Sequence, residues 1–121
     1  MKRIYVAGAY SGTDVIAILN NMREGMRLAT RVMLAGHAPF APWLDYHFQL
    51  MLRDGERLSV EDYYRYSIAW LVVSDCMLLV PGWRDSTGTK KERARAITVL
   101  KIPVFEDFDE CVAWADREVE K

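Results

Sequence analysis

Glu92 stands beside Lys90, Lys91 and Arg93 in the stretch VPGWRDSTGTKKERARA, residues 80–96, directly after the apolar run CMLLV. A carboxylate at that place has two uses. TKKE is a capping box, with Thr89 as N-cap and Glu92 reaching back from N3, which would make the glutamate structural. Against this, three cations crowd the positive end of a helix dipole, an arrangement that is unfavourable unless an anion binds there or water solvates the charges. Ser86, Gly88 and the free amides of the turn also form a seat for a phosphate or a hydroxyl. A glutamate facing a ligand held in that way can act as a nucleophile or can stabilise positive charge.

A second loop of the same type is GAYSG, residues 8–12. Gly8 and Gly12 let the backbone approach a ligand, Ser11 adds a hydroxyl, and Tyr10 stands between them. The loop is neither a GxGxxG fingerprint nor a Walker loop, since it has no lysine. His37 follows Gly36 and precedes Pro39, as a capping or packing histidine does. His47 is placed to touch a ligand, but it has no carboxylate partner. Two such histidines make no metal site, and the sequence supports no Ser-His-Asp or Cys-His arrangement. Trp83, at a strand end, is able to stack on a planar ring or to shield the sheet edge.

The elements that carry these residues alternate between strand and helix. RIYVA, 3–7, is a short β-rich run. A helix over 14–35 follows, with Val15, Leu19, Met22, Met26, Ala29 and Met33 on one face and Gly36 ending it. Residues 38–41 form a second strand between Pro39 and Pro42. The segment 42–58, rich in Trp, Tyr, His and Phe, reads either as a pocket wall with a helical turn or two or as a surface excursion packed on the core. SVED is a capping box that opens a helix at Ser59, with Val60, Tyr64, Ile68 and Leu71 as its apolar stripe. CMLLV, 76–80, lacks alternation, as does a strand covered on both faces. A helix over 89–100, the strand IPVF and a last amphipathic helix capped by Asp107 or Asp109 complete the chain. This order predicts a doubly wound, flavodoxin- or Rossmann-like α/β fold with a parallel sheet of four to five strands and helices on both faces. Ligands in such sheets sit at the carboxyl ends of the strands near the switch in strand order, so GAYSG and PGWRDSTG should open on the same edge.

The 121 residues suit a single domain, 1–121. With 51% apolar and 27% charged residues, the composition is that of a folded soluble protein. A net charge of −1 provides no field for a polyanion, so nucleic acid is not an expected partner. The apolar region IAWLVVSDCMLLV is split by Ser74 and Asp75, which speaks against a membrane span. Cys76 and Cys111 sit in apolar settings without ligand spacing and read as reduced core thiols of a cytoplasmic protein.

Taken with IYVAG, the AGH that ends the first helix, IAWL, SDCMLLV, and S-x-G-x-x-x-E at Ser86, Gly88 and Glu92, the chain resembles the nucleoside 2-deoxyribosyltransferase superfamily. Within it, the likeness is to small N-hydrolases of nucleoside monophosphates. The resemblance implies that Glu92 is the nucleophile on the anomeric carbon of a nucleoside or nucleotide, kept ionised by the helix N-terminus and Lys90 or Lys91. It implies that Tyr5 orients the Glu92 carboxylate, and that Ser86 meets the 5′ end of the substrate. Gly8, Tyr10, Ser11 and Gly12 would line one side of the pocket, and Ser86 and Gly88 the other. Ser67 stands where the family has an aspartate that holds the sugar or protonates the base, with Asp62, Asp75 or Asp85 as substitutes. The phosphate-binding arginine of nucleotide-cleaving relatives is absent near Ser11, and Arg23, Arg84 or a lysine of TKKE would have to replace it. The family's chemistry needs no metal or organic cofactor, and its members assemble as homodimers or larger homo-oligomers. PG…GTKKE is also similar to the motif of the cytokinin-type nucleotide phosphoribohydrolases, an alternative with the same bond broken. A non-catalytic nucleotide-binding or sensing module is the other alternative.

Overall fold

Two runs of buried side chains define the sheet. In the computed structural model, which describes residues 1–121, Arg3–Ala7 forms β1, Ala38–Phe40 β2, Cys76–Leu79 β3 and Val104–Phe105 β4. All pairings are parallel, in the order β2-β1-β3-β4, with Tyr5 opposite Phe40 on one side and Met77 on the other. β1 and β3 are central, and each feeds two cores. Ile4, Val6, Cys76, Leu78 and Val80 face one layer. Tyr5, Ala7, Met77 and Leu79 face the other. Burial on both faces explains the unbroken apolar run of CMLLV.

The helices cover both faces. α1 (Val15–Leu34) and α5 (Phe108–Glu120) pack on the first, through Leu28, Ala29, Val32, Cys111 and Ala115. α3 (Val60–Leu71) and α4 (Thr87–Arg95) lie on the second, where Leu71 and the following Ala96 are buried. α2 (Tyr46–Leu50) is a short helix continuing a 3₁₀ turn, Pro42–Asp45. The fold is the doubly wound α/β arrangement, with four strands. No helix is long and apolar enough to cross a membrane.

Several local expectations hold at the level of caps. Ser59 and Asp62 make the reciprocal capping box, Asp107 caps α5, and Gly36 follows α1 at φ +91°. His37 packs, buried, with Nε2 2.8 Å from Asp116 and Nδ1 accepting from the Lys2 amide. The cysteines are free and buried, with their sulfurs 3.9 Å apart.

Three expectations are corrected. The buried ridge of α1 is Gly25, Leu28, Ala29 and Val32, while Val15 and Met33 are exposed. The helix is turned by Gly25, which receives the Trp43 indole against its backbone. On α3, Val60 and Tyr64 are likewise exposed, and Ser67 and Leu71 are buried. The third helix starts earlier and ends earlier than 89–100. Ser86 is its N-cap, and α-geometry stops at Arg95, giving way to a π turn, Ala96–Leu100. Thr98 donates to the Ala94 carbonyl at 2.6 Å, inside a run of β-branched Ile97, Thr98 and Val99, which loosens the α ladder there.

Candidate functional site

The reassigned cap decides the first question about Glu92. The Ser86 hydroxyl oxygen accepts from the Thr89 amide at 3.2 Å and from the Thr89 hydroxyl at 2.9 Å. Thr89 is therefore inside α4 and 1% exposed, and Glu92 lies a turn beyond any capping position. Its carboxylate is free of backbone duty and accepts instead from the Tyr5 hydroxyl. Two residues 87 apart in sequence thus meet where β1 and α4 converge. The chain runs from β1 to β2 on one side and crosses back to β3 on the other, so the loops after β1 and β3 part at their carboxyl ends. That divergence is the place where doubly wound sheets bind ligands.

A cleft of about 590 Å³ opens there. Gly8, Tyr10 and Ser11 form one wall, and Ser86, Gly88 and Glu92 the opposite one. Ser67 and Tyr64 of α3 close the side, and the 42–50 segment supplies Pro42, Asp45, Tyr46 and Gln49. The middle segment is therefore a pocket wall, anchored by Trp43 in the core. The Trp43 Nε1 donates to the Ala9 carbonyl at 3.0 Å, and Asn21 Nδ2 donates to the Ser11 carbonyl at 3.0 Å. These two bonds hold the Gly8–Ser11 loop open against the cleft.

Not every candidate reaches it. Gly12 is absent from the wall; an added Cβ there would sit 2.7 Å from the Ala17 side chain, so its small size serves the close approach to α1. His47 is exposed on α2. Trp83 is buried on the α4 side, donates to Glu106 at 2.9 Å, and carries the Arg84 and Arg93 guanidiniums over its ring. Asp62 is engaged by Ser59 and Asp75 by the Arg3 amide. Of the three aspartates named as substitutes for an acid at Ser67, only Asp85 lines the cleft, at its exposed rim. Arg84 pairs with Glu106, and Arg23 bonds Asn20. No lysine or arginine lines the cleft, and no group of three or more His, Cys, Asp or Glu side chains converges as a metal site.

The electrostatics follow from burial. Glu92 forms no ion pair, and Lys90 and Lys91 point to solvent. Burial raises the Glu92 carboxyl above the usual range, and the Tyr5 hydrogen bond opposes the rise. The expected help from the lysines is thus replaced by a phenol. Tyr5 is wholly buried. Its ring stacks on Phe40 at 5.2 Å, and Phe40 stacks on Trp70 at 5.9 Å. Burial first, then the charge of Glu92, pushes the Tyr5 phenol far above its ordinary value, while the Ser67 hydroxyl works the other way. Tyr5 therefore stays protonated and serves as a fixed donor.

Tyr5→Phe tests this role. The ring site accepts phenylalanine, but the carboxylate loses a hydrogen bond in a buried setting, which costs about 1–3 kcal/mol. We expect any Glu92-dependent turnover to fall roughly 10- to 100-fold. Loss of the donor also raises the Glu92 pKa further, so the acid limb of the pH–rate profile should move to higher pH.

Sequence reasoning missed Asp45. It is 8% exposed and lines the cleft beside Tyr10, Tyr46 and Tyr63. Burial raises its carboxyl above the usual range, with the Tyr10 hydroxyl opposing. Tyr10 is itself raised, first by burial and then by Asp45. The available signal was an acidic residue inside the aromatic run PWLDYHF, where a solvated surface would carry no such company.

The cleft thus has two ends. Ser67, Ser86, Gly88 and Glu92 give one a hydroxyl-rich lining suited to a sugar. Tyr10, Asp45, Tyr46, Gln49 and Tyr63 give the other flat faces and a few polar tips, suited to a planar heterocycle. A protein-family comparison matches residues 2–105 to a family described as a domain of unknown function, DUF4406. Comparison with curated proteins gives no match.

Proposed function

Since the chain belongs to the DUF4406 family, we propose that it uses this cleft to cleave or transfer the N-glycosidic bond of a nucleoside, with Glu92 as nucleophile. The observation that carries the reading is the half-buried Glu92 carboxylate, freed from capping and held by Tyr5 against the cleft. One carboxylate oxygen is engaged by the phenol, and the other is left to approach an anomeric carbon. The resemblance to the nucleoside 2-deoxyribosyltransferase superfamily supports the same assignment.

The chemistry runs through an oxocarbenium-like transition state. The Glu92 oxygen attacks C1′, the C1′–N bond breaks, and its electron pair leaves with the base. Water then attacks C1′ of the glycosyl ester and releases the sugar; a second base in place of water completes transfer. Raised by burial yet stabilised by one strong donor, the carboxylate is a better nucleophile than a solvated one. The Ser86 oxygen already accepts two hydrogen bonds, so its own proton is left to reach a 5′-oxygen.

Charge favours an unphosphorylated substrate. Asp85 and Glu92 line the cleft without a cation. Opposing them is the N-terminus of α4, whose dipole contributes about 0.3–1 kcal/mol to a bound anion. Of the two substrates the resemblance leaves open, the nucleoside is therefore favoured over its 5′-monophosphate. Val60, Trp70, Val72 and Val73 are exposed along and after α3, in keeping with a homo-oligomer.

Two measurements test the reading. A panel of nucleosides and 5′-monophosphates, followed by chromatography, should show free base from a nucleoside in preference to its phosphate. A 2′-deoxy-2′-fluoroarabinosyl nucleoside, which slows breakdown of the ester, should leave a glycosyl adduct on the peptide containing Glu92 by mass spectrometry. An adduct elsewhere removes Glu92 from the role. The second reading, a non-catalytic binding module, draws on Ser67 at the place of the family acid; tight nucleoside binding with no base released from any compound would establish it instead.

A further inference from the structure

Ser67 cannot donate a proton to a departing base at neutral pH, so the reaction above needs an acid from elsewhere. We propose that Asp45 is that general acid, protonating the nucleobase as the C1′–N bond breaks. This inference rests on the glycosidase reading and adds a residue to it.

Position supports the assignment. Asp45 ends the 3₁₀ turn after β2, on the flank of β1 opposite the β3–α4 side that carries Glu92. The two carboxyls enter the cleft from different elements and serve different ends of it. Glu92 lies with Ser67, Ser86 and Gly88, where a sugar fits. Asp45 lies with Tyr10, Tyr46 and Tyr63, where a base fits. A proton for the leaving group has to arrive from the base end.

The surroundings suit an acid that is protonated when the reaction starts. The side chain is buried, and its neighbours are phenols rather than cations: Tyr5 and Tyr10 from β1 and its loop, Tyr46 from α2, and Tyr63 from α3. Tyr63 is fixed by donating to Gln49 at 2.6 Å. No lysine or arginine lines the cleft to favour the ionised form. Burial accordingly raises the Asp45 pKa, the direction in which general acids are tuned. Trp43, two residues earlier, is locked in the core, so the turn that carries Asp45 is rigid. Asp85 is the other aspartate in the wall, but it is exposed at the rim.

The step balances without a further reagent. Glu92 forms an ester bond to C1′ as the C1′–N bond breaks. The bond electrons pass to the base nitrogen, which takes the Asp45 proton. Water then attacks C1′, gives a proton to the Asp45 carboxylate, and displaces Glu92 with its electron pair. The acid and the nucleophile are both restored.

The test compares wild type, Asp45→Asn, Asp45→Glu and Glu92→Gln on the nucleoside that releases base fastest, across pH. It adds the paired guanosine and 7-methylguanosine, in ribo and 2′-deoxy forms, because a 7-methylated base departs without needing a proton. We expect Asp45→Asn to lower kcat/KM about 10²- to 10³-fold and to remove the alkaline limb of the pH profile. Asp45→Glu should restore part of both. Where the guanosine pair is cleaved, the loss should shrink by at least tenfold on the methylated substrate. The melting temperature of Asp45→Asn should not fall, since the substitution leaves a neutral group in a buried place. If Asp45→Asn keeps the alkaline limb while Glu92→Gln is inactive, Asp45 is not the acid and the nucleophile assignment survives. If wild type releases no base from any nucleoside, both fall.

Discussion

Glu92→Gln should abolish base release and, at the same time, raise the melting temperature. Loss of a nucleophile costs several orders of magnitude in rate, because amide oxygen cannot form and release a glycosyl ester. The gain in stability has a separate cause. A carboxyl whose folded pKa lies above its unfolded one binds its proton more tightly in the folded state. Its folded form is therefore best stabilised below the ordinary glutamate range, and stability is lost as pH rises through the folded pKa. At neutral pH the wild-type protein bears that cost for a half-buried charge held chiefly by Tyr5. Glutamine keeps an acceptor for the phenol and removes the charge. We expect a gain of roughly 2–6 °C at pH 7–8 by calorimetry, shrinking as pH falls toward 4. A variant that loses activity with an unchanged or lower melting temperature at neutral pH would mean the carboxylate is not a burdened one. Loss of stability at a reactive group is the expected signature of a functional site.

Gly25→Ala is the second large effect, and its sign runs against helix propensity. Alanine inside a helix is normally favoured over glycine by about 1 kcal/mol. Here a Cβ at position 25 would stand 2.4 Å from Cζ2 of Trp43 and 2.5 Å from Cε2 and Cη2. The indole has nowhere to retreat. It is 2% exposed, the Gly8 backbone also approaches its Cζ2, and its Nε1 is tied to the Ala9 carbonyl. Overpacking costs about 1–3 kcal/mol, and a displaced indole adds the lost hydrogen bond, about 0.5–1.5 kcal/mol. The net should be a loss of about 2 kcal/mol, read as a drop of roughly 5–10 °C. Because Trp43 holds both the Ala9 carbonyl and the turn that leads to Asp45, substrate affinity should weaken as well, although Gly25 touches no ligand. An unchanged or higher melting temperature would show that propensity wins and that the indole yields.

What the residues disclosed in advance depended on how local the cause was. The parallel α/β order, the Ser59–Asp62 box and the Asp107 cap rest on neighbours along the chain, and all stand. The box at TKKE rests on the same kind of pattern and fails, because Ser86 offers an equal cap three residues earlier and its oxygen also satisfies the Thr89 side chain. Helix faces were legible only in part. Periodicity found Met22, Met26 and Ala29, but a glycine scores nothing on such a pattern, and Gly25 is where the deepest packing occurs. The meeting of Tyr5 with Glu92 came from resemblance, since no rule of spacing joins residues 87 apart. Asp45 escaped because its burial depends on Trp43, a tertiary fact.

The phenol that serves Glu92 grows from a central strand rather than from a loop. A residue in such a strand exchanges its environment only when the whole sheet comes apart. Fraying at the rim can therefore widen or narrow the entrance while the Tyr5 donor stays in place. The shape of the entrance can drift with the rim, while the phenol keeps its place for as long as the protein folds at all.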